Sequence, residues 1–169
     1  MSYEFNEVDR FICGTVGEPG EREFYLQVRR GNQLLSALLE KTQAMTLAQR
    51  LEILIKAAMK EDIALVAERT DRDDAALEQP IETDFVVGAI SIAWDEVSKK
   101  VCVELFALKE VDGESDTADI TVYLTLGQAK SFTSRTQAVV NAGRLPCPFC
   151  AIPIDPRGHL CPRANGYRR

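Results

Sequence analysis

Apolar and polar residues alternate in the first part of the chain with the period of two that is typical of β-strands. The alternation predicts three strands, over 10–17, 23–30 and 33–40. Glu18-Pro19-Gly20 suits a tight turn between the first two strands, with proline first and glycine second. From about Lys41 the apolar residues recur at helical spacing, which predicts an amphipathic helix to about Lys60.

The second half of the chain repeats this order of elements. Three further strands are predicted over 85–94, 100–108 and 119–124. Thr125 and Gln128 then have the spacing of a capping box, which marks the start of a second helix, and Gly143 is placed to end it. The residues 68–84 between the halves are charged, contain Pro80 and lack periodicity, so they predict a solvated linker.

The two halves align with each other when the chain is offset by 85 positions. The offset places apolar residues opposite apolar residues, mainly in the helices: Leu39 opposite Leu124, Leu47 opposite Phe132 and Ile55 opposite Val140. An internal duplication and a chance match both stay open. The predicted fold class is α+β, with two βββα halves that form an antiparallel sheet covered by two helices. A true duplication would relate the halves by a pseudo-two-fold axis.

The charge of the chain is unevenly distributed. The net charge is −6, yet residues 146–169 hold four arginines and one aspartate and therefore carry +3, which leaves −9 for the rest. An acidic body argues against broad nucleic-acid binding, because phosphate contacts need dense lysine and arginine. The apolar content of 46% is enough for a hydrophobic core, and no apolar run approaches the length of a membrane span.

The last 24 residues contain three of the five cysteines and the only histidine of the chain. Their spacing is C-x2-C-x8-H-x-C, formed by Cys147, Cys150, His159 and Cys161. Zn²⁺ favours four such ligands in a closed tetrahedron, and a site of this kind contributes folding energy to a segment too short for a hydrophobic core. The spacing therefore predicts a structural zinc knuckle.

Two other uses of these cysteines stay open: unmetallated thiols, and a redox or disulfide pair. Cys147-Pro148-Phe149-Cys150 resembles the redox pair of a glutaredoxin, which needs a helix N-terminus at the first thiol, and Pro153 and Pro156 argue against a helix there. His159 is open as a ligand, since the H-x-C gap is tighter than the usual two residues. Without it, the three cysteines would form an open, catalytic type of zinc site with His159 as a base.

The remaining cysteines and the start of the chain have simpler interpretations. Cys13 and Cys102 lie inside apolar runs and are predicted to be buried hydrophobic residues. Residues 1–6 are polar and acidic and lack the apolar core of a signal peptide, so we expect a cytoplasmic protein with reduced thiols. The predicted organisation is an α+β body and a zinc-knuckle tail: the body 1–145 with halves 1–67 and 85–145 and the acidic linker 68–84, then the tail 146–169.

The tail CPFC…GHLCPRANGYRR and the opening YEFNEVDRFICGTVGEPGEREFYLQ resemble a family of uncharacterised actinobacterial proteins, known as a domain of unknown function or as "repeat protein". The resemblance runs along essentially the whole chain. Its metal-ligand types fall on Cys147, Cys150, His159 and Cys161. The resemblance implies an internal repeat and a metal-binding tail, and it brings no established activity.

The sequence favours a non-enzymatic zinc-binding adaptor over an enzyme, because the body has no convergent set of acid and base residues. The knuckle would present a basic surface to a protein partner or a small anionic ligand, through Arg163, Asn165, Tyr167 and Arg168. A disordered basic tail is the simpler interpretation of these residues. The alternative function is an enzyme or ligand-binding protein that acts on a phosphorylated or carboxylated small molecule between the halves. Sequence-tolerant nucleic-acid binding by the knuckle is a third hypothesis, which predicts steep salt dependence.

Overall fold

Seven strands and two helices make up the part of the chain that the computed structural model describes, which is residues 1–110, 116–143, 145–154 and 158–163. The strands are β1 (Tyr3–Phe5), β2 (Arg10–Val16), β3 (Glu23–Arg30), β4 (Gln33–Leu39), β5 (Phe85–Asp95), β6 (Lys100–Ala107) and β7 (Ile120–Leu124). The helices are α1 (Lys41–Glu61) and α2 (Leu126–Asn141). The α+β class and the predicted strands and helices are confirmed. In the described part of the chain, neither helix has the length and hydrophobicity needed to cross a membrane.

All the strands belong to one mixed sheet with the order β1-β7-β6-β5-β4-β3-β2. Neighbouring strands are antiparallel except at two joins, β4–β5 and β1–β7, which are parallel. The prediction of a purely antiparallel sheet is therefore wrong at these joins. A parallel join requires the chain to return to its starting end between the two strands, and α1 together with residues 68–84 makes this return between β4 and β5.

The relation between the two halves follows from the strand order. The first half supplies β2, β3 and β4, the second supplies β5, β6 and β7, and the halves follow one another across the sheet. A two-fold axis between them would bring equivalent strands together in opposite directions. Instead, the last strand of one half runs parallel to the first strand of the other. The expected pseudo-two-fold axis is wrong, and the internal duplication itself stays a prediction.

Both helices start in the same way. The Oε1 atom of Gln43 accepts a hydrogen bond from the backbone N–H of Glu40 at 2.8 Å, and that of Gln128 accepts one from Thr125 at 3.1 Å. The Thr125 hydroxyl accepts in turn from the Gln128 N–H at 3.2 Å, so the predicted capping box is confirmed. The C-cap of α2 is the residue before Gly143, as predicted.

The hydrophobic core lies between the two helices and one face of the sheet. In β6, every second residue is fully buried on this face: Val101, Val103 and Leu105. Phe132 of α2 packs against Phe11 of β2 with 4.6 Å between ring centroids. Neither of the two helices in the described residues lies on the opposite face of the sheet.

Residues 68–84, which we call the strap, have no helix or strand, as predicted, but they are anchored to the body. At the start of α2, a carboxylate oxygen of Glu68 accepts from the Gly127 N–H at 3.1 Å. Further along, Leu77 is buried against the helix-free face of the sheet and packs directly on Gly14. A Cβ atom at position 14 would lie 2.6 Å from Leu77, so only glycine leaves room for this contact. The strap therefore passes around the edge strand β2 from one face of the sheet to the other.

The last part of the strap is held by hydrogen bonds to the same sheet face. Gln27 and Glu78 exchange two of them: Nε2 of Gln27 donates to the Glu78 carbonyl at 3.0 Å, and its Oε1 accepts the Glu78 N–H at 2.8 Å. Asp84 accepts from the Ser36 N–H at 2.7 Å directly before β5 begins. Most residues of the strap are exposed, as the prediction of a solvated linker requires. The sequence did not indicate its attachment to the body, where the strap covers groups of β2, β3 and β4 that would otherwise face water.

Arg135 of α2 binds the strap to the edge of β2. Its side chain is 7% exposed, and its Nε atom donates to the Cys13 carbonyl at 2.7 Å. Its Nη1 atom donates to two strap carbonyls, those of Asp73 at 2.6 Å and Ala75 at 2.7 Å. Desolvation lowers the pKa of Arg135, whereas the Asp73 carboxylate, which also pairs with Arg10 at 2.5 Å, acts in the opposite direction.

We expect Arg135→Met to lower the free energy of unfolding by about 2–4 kcal/mol, because three carbonyl groups lose a charged hydrogen-bond donor in a buried setting. Urea denaturation followed by circular dichroism measures this change. Lys130→Met is the matched control, since Lys130 is an exposed residue of the same helix and its loss should change stability by less than about 0.5 kcal/mol. Equal effects of the two substitutions would contradict the anchoring role of Arg135.

Candidate metal centre

The tail folds through a short hairpin-like turn that holds the first two cysteines. Pro146 and Pro153 form an antiparallel bridge, and the Cys147 N–H donates to the Ile152 carbonyl at 2.9 Å. The Ala151 N–H closes the turn by donating to the Cys147 carbonyl at 2.8 Å. No helix follows this turn in the described part of the tail, which confirms the effect expected of the prolines.

The second pair of predicted ligands follows a backbone turn at Gly158. The φ angle of Gly158 is 110°, in the left-handed region that glycine adopts without a steric cost. The two residues before it in the predicted turn, Pro156 and Arg157, lie outside the described residues. The conformation of Gly158 places His159 and Cys161 beside the first turn.

Four side chains of the tail meet in one cluster. The Sγ atoms of Cys147 and Cys161 are 3.8 Å apart, and Sγ of Cys150 lies 3.1 Å from Nε2 of His159. All four donor atoms lie within 4.8 Å of one another. A tetrahedral zinc ion with Zn–S bonds of about 2.3 Å keeps its sulfur ligands about 3.8 Å apart. The cluster is close enough to hold a metal ion, and its dimensions and its donor atoms are consistent with zinc.

The thiols of the cluster differ in their readiness to ionise. Backbone hydrogen bonds from the N–H groups of Cys150 and Phe149 lower the pKa of Cys147 to about 6. Desolvation raises the pKa of Cys150, and the neighbouring thiols Cys147 and Cys161 act in the same direction. Several thiolates at this spacing repel one another, so a cation is required for all of them to ionise together.

The cluster contains four side chains that can each donate one atom to a metal ion, rather than three. Cys147 and Cys161 are buried, and Cys150 and His159 are half-buried. Three cysteines with a free histidine would leave an open metal position, as in catalytic sites, whereas four donors are typical of structural sites. No disulfide links any of the five cysteines.

The other two cysteines lie away from the cluster. Cys13 is fully buried, and desolvation raises its pKa to about 12, as expected of a core residue. Cys102 is only half-buried, so its predicted burial is wrong. It lies opposite Tyr123 on the helix-free face of the sheet, because the alternation of β6 places Val101 and Val103 on the core side.

The predicted recognition residues are described only in part. Nη1 of Arg163 donates to the Phe149 carbonyl at 3.2 Å, which ties Arg163 to the turn that carries Cys147 and Cys150. Asn165, Tyr167 and Arg168 lie outside the described residues.

The fold and the cluster define the protein as an α+β domain with a mixed seven-stranded sheet and a C-terminal Cys₃His cluster. The chain belongs to the family described as "Protein of unknown function (DUF3090)", whose model matches residues 3–161 and so includes all four cluster residues. This match confirms the domain of unknown function that the resemblance indicated; the actinobacterial origin and the repeat stay predictions. No curated protein and no solved structure matches the chain.

Two neighbouring clefts lie at the junction of the halves, where the alternative hypothesis expects a small molecule, but the sequence did not indicate the residues that line them. The Lys41 cleft has a volume of about 670 Å³. It is bounded by the first residues of α1 and β3, the last residues of β4, and part of β5. The Arg50 cleft, of about 600 Å³, lies between α1 and residues Gly88–Ile92. Gln43 and Gly88 line both clefts. The signal that would have indicated them is Gly88 inside a strand, which marks the bulge that the structure has there.

We expect zinc affinity to fall as the pH is lowered, by at least about tenfold per pH unit between pH 8 and pH 7. The pKa of Cys150 is raised, so its thiol is protonated in the metal-free protein at these pH values and must release one proton when zinc binds. Competition with a zinc chelator at several pH values measures this dependence. The control variant Cys102→Ser should show the same pH dependence of zinc affinity. A zinc affinity that does not change with pH would exclude the Cys150 thiolate as a ligand.

Proposed function

We propose that this protein is a non-enzymatic binding protein whose C-terminal tail is held in shape by a structural zinc ion. The knuckle fixes a basic surface, formed by Arg163, Asn165, Tyr167 and Arg168, for a protein partner or a small anionic ligand. The proposal includes a cytoplasmic location, because reduced thiols are needed to bind the metal.

One observation carries the proposal: four soft donors converge within 4.8 Å in a segment that has almost no core of its own. Hydrophobic residues of the tail stay exposed, among them Phe149, Ile152 and Leu160. A segment of this kind depends on the metal for its folded shape. The contact from Arg163 to the turn of the first two cysteines supports a surface that is organised by the knuckle.

Metal analysis of the purified protein tests the structural role. Protein purified without added metal should contain one zinc ion per chain by elemental and native mass spectrometry, and Cys161→Ser should lose both the metal and the order of the tail. Cys102→Ser is the matched control and should keep the ion. A metal-free protein with reactive thiols would overturn the proposal and favour a redox role for Cys147 and Cys150.

Charge reversal tests the recognition surface. We expect Arg163→Glu with Arg168→Glu to abolish capture of the partner from a cell lysate, while zinc content and the circular dichroism spectrum stay unchanged. Arg157→Glu is a control for the general charge of the tail, since residue 157 is not part of the proposed surface. Unchanged capture by the double variant would count against this surface.

The Lys41 cleft favours a second candidate function, the binding of a phosphorylated or carboxylated small molecule between the halves. Nη2 of Arg22 and Nζ of Lys41 both lie within 3.3 Å of the place where a Cβ of residue 143 would be. Neither cation has an ion pair among the described residues. Two cations without ion pairs in the described part of the chain attract an anionic group, although Glu23 and Glu40 also line this cleft.

Calorimetric titration with fructose 1,6-bisphosphate and with citrate tests this second candidate. Binding of either probe should weaken by at least about tenfold in Lys41→Gln, because one charged hydrogen bond is lost. Lys60→Gln, on the same helix and outside the cleft, should bind normally. Absence of binding by both probes at millimolar concentration would exclude the candidate for these two ligand types.

A further inference from the structure

The Arg50 cleft is bounded on one side by a strand edge that has no pairing partner in the described part of the chain. β4 pairs with β5 only as far as Val86, because β4 ends at Leu39 while β5 continues to Asp95. Five consecutive residues of β5, Gly88–Ile92, line the cleft. Successive side chains of a strand point to opposite faces, so five consecutive lining residues mean that the backbone edge itself faces the cleft. An edge of this kind offers free N–H and C=O groups to another chain.

The other side of the cleft is a polar face of α1. Thr42, Thr46 and Arg50 follow one another at intervals of four residues, so they lie along one face of the helix. Arg50 is exposed, and no hydrogen bond or ion pair occupies it within the described ranges. Nε2 of Gln43 donates to the carbonyls of Val87 and Gly88, at 3.2 and 3.4 Å, and marks the start of the free edge.

The second helix has the same pair of side chains, placed against the edge strand β2. Gln128 and Arg135 of α2 are seven residues apart, as are Gln43 and Arg50 of α1. Nε2 of Gln128 donates to the carbonyl of Val8, just before β2, at 3.0 Å, and Arg135 binds the β2 edge further along. Each glutamine thus contacts the backbone beside a strand edge, with an arginine two helical turns beyond it.

Arg135 and Arg50 differ in what lies beside the guanidinium group. Next to Arg135 runs the strap, an extended segment whose Asp73 and Ala75 carbonyls accept from the guanidinium. The Asp73 carboxylate adds an ion pair to Arg135 at 3.6 Å. Next to Arg50 there is a cleft of about 600 Å³. The chain itself therefore shows which chemistry suits an arginine placed between a helix and a strand edge.

We propose that the Arg50 cleft binds an extended peptide segment of a partner protein that carries an acidic side chain. The guanidinium of Arg50 pairs with the carboxylate and with a peptide carbonyl, as that of Arg135 does with the strap. The backbone of the segment pairs with the edge at Gly88–Ile92, as in other complexes in which a peptide adds a strand to a sheet. Gly88 and Ala89 leave room for this approach, because they have little or no side chain.

A peptide with the sequence of the strap is the probe that tests the proposal. The blocked peptide TDRDDAAL, residues 70–77, is titrated into the isotope-labelled full chain and followed by NMR. The added peptide should not displace the strap beside Arg135. The strap belongs to the same chain and therefore competes for that position at a high effective concentration. We expect saturable shifts of the amide signals of Gly88–Ile92. Arg50→Gln should weaken binding roughly tenfold to a hundredfold, the value of one charged hydrogen bond.

The controls separate recognition from general charge attraction. Lys60→Gln makes the same change of charge on the same helix outside the cleft and should bind normally. A peptide with Asp73→Lys should bind at least about tenfold more weakly than the native sequence. The proposal is overturned if no shift appears at Gly88–Ile92 at millimolar peptide, or if Arg50→Gln and Lys60→Gln behave alike. Shifts at these residues that depend on protein concentration without peptide would assign the cleft to a second copy of the chain and also overturn it.

Discussion

The guanidinium of Arg135 connects α2, the edge of β2 and the strap through hydrogen bonds to three backbone carbonyls. A buried arginine is tolerated only when its donors are satisfied. Helix α2 can therefore pack in its position only if the strap lies beside β2 and supplies the carbonyl acceptors. The strap then continues across the helix-free face of the sheet and delivers the chain to the start of β5 at Phe85. That starting point makes β5 parallel to β4, and the free edge beyond Val86 is a result of the same path.

The elements that were predicted correctly are those whose signal is local. Strand alternation and the capping box of Thr125 and Gln128 are properties of neighbouring residues, and both are present in the structure. The anchoring of the strap could not be predicted in this way, because Arg10 meets Asp73 across 63 residues and Arg135 meets Cys13 across 122. A charged, aperiodic segment looks the same in the sequence whether it is free or held by distant arginines.

The same distinction applies to the functional sites. The four cluster residues lie within 15 positions of one another, so their spacing in the sequence already contains most of the geometry of the cluster. The Arg50 cleft exists only because β4 ends before β5 does, and the end of a strand relative to a neighbour is set by tertiary structure. Cys102 was misjudged for a related reason: its neighbours are apolar, but the face on which it lies depends on the register of β6.

β1 has a consequence for the synthesis of the protein. Its residues Tyr3–Phe5 pair with Ile120–Val122 of β7, at the opposite end of the body in sequence. At about 5–20 residues per second, the ribosome needs roughly 6 to 23 seconds to reach β7 after β1 has been made. During that time the first strand has no partner, and the far edge of the sheet closes only when most of the chain has been translated. The order of synthesis thus makes β1 one of the last parts of the body to reach its place.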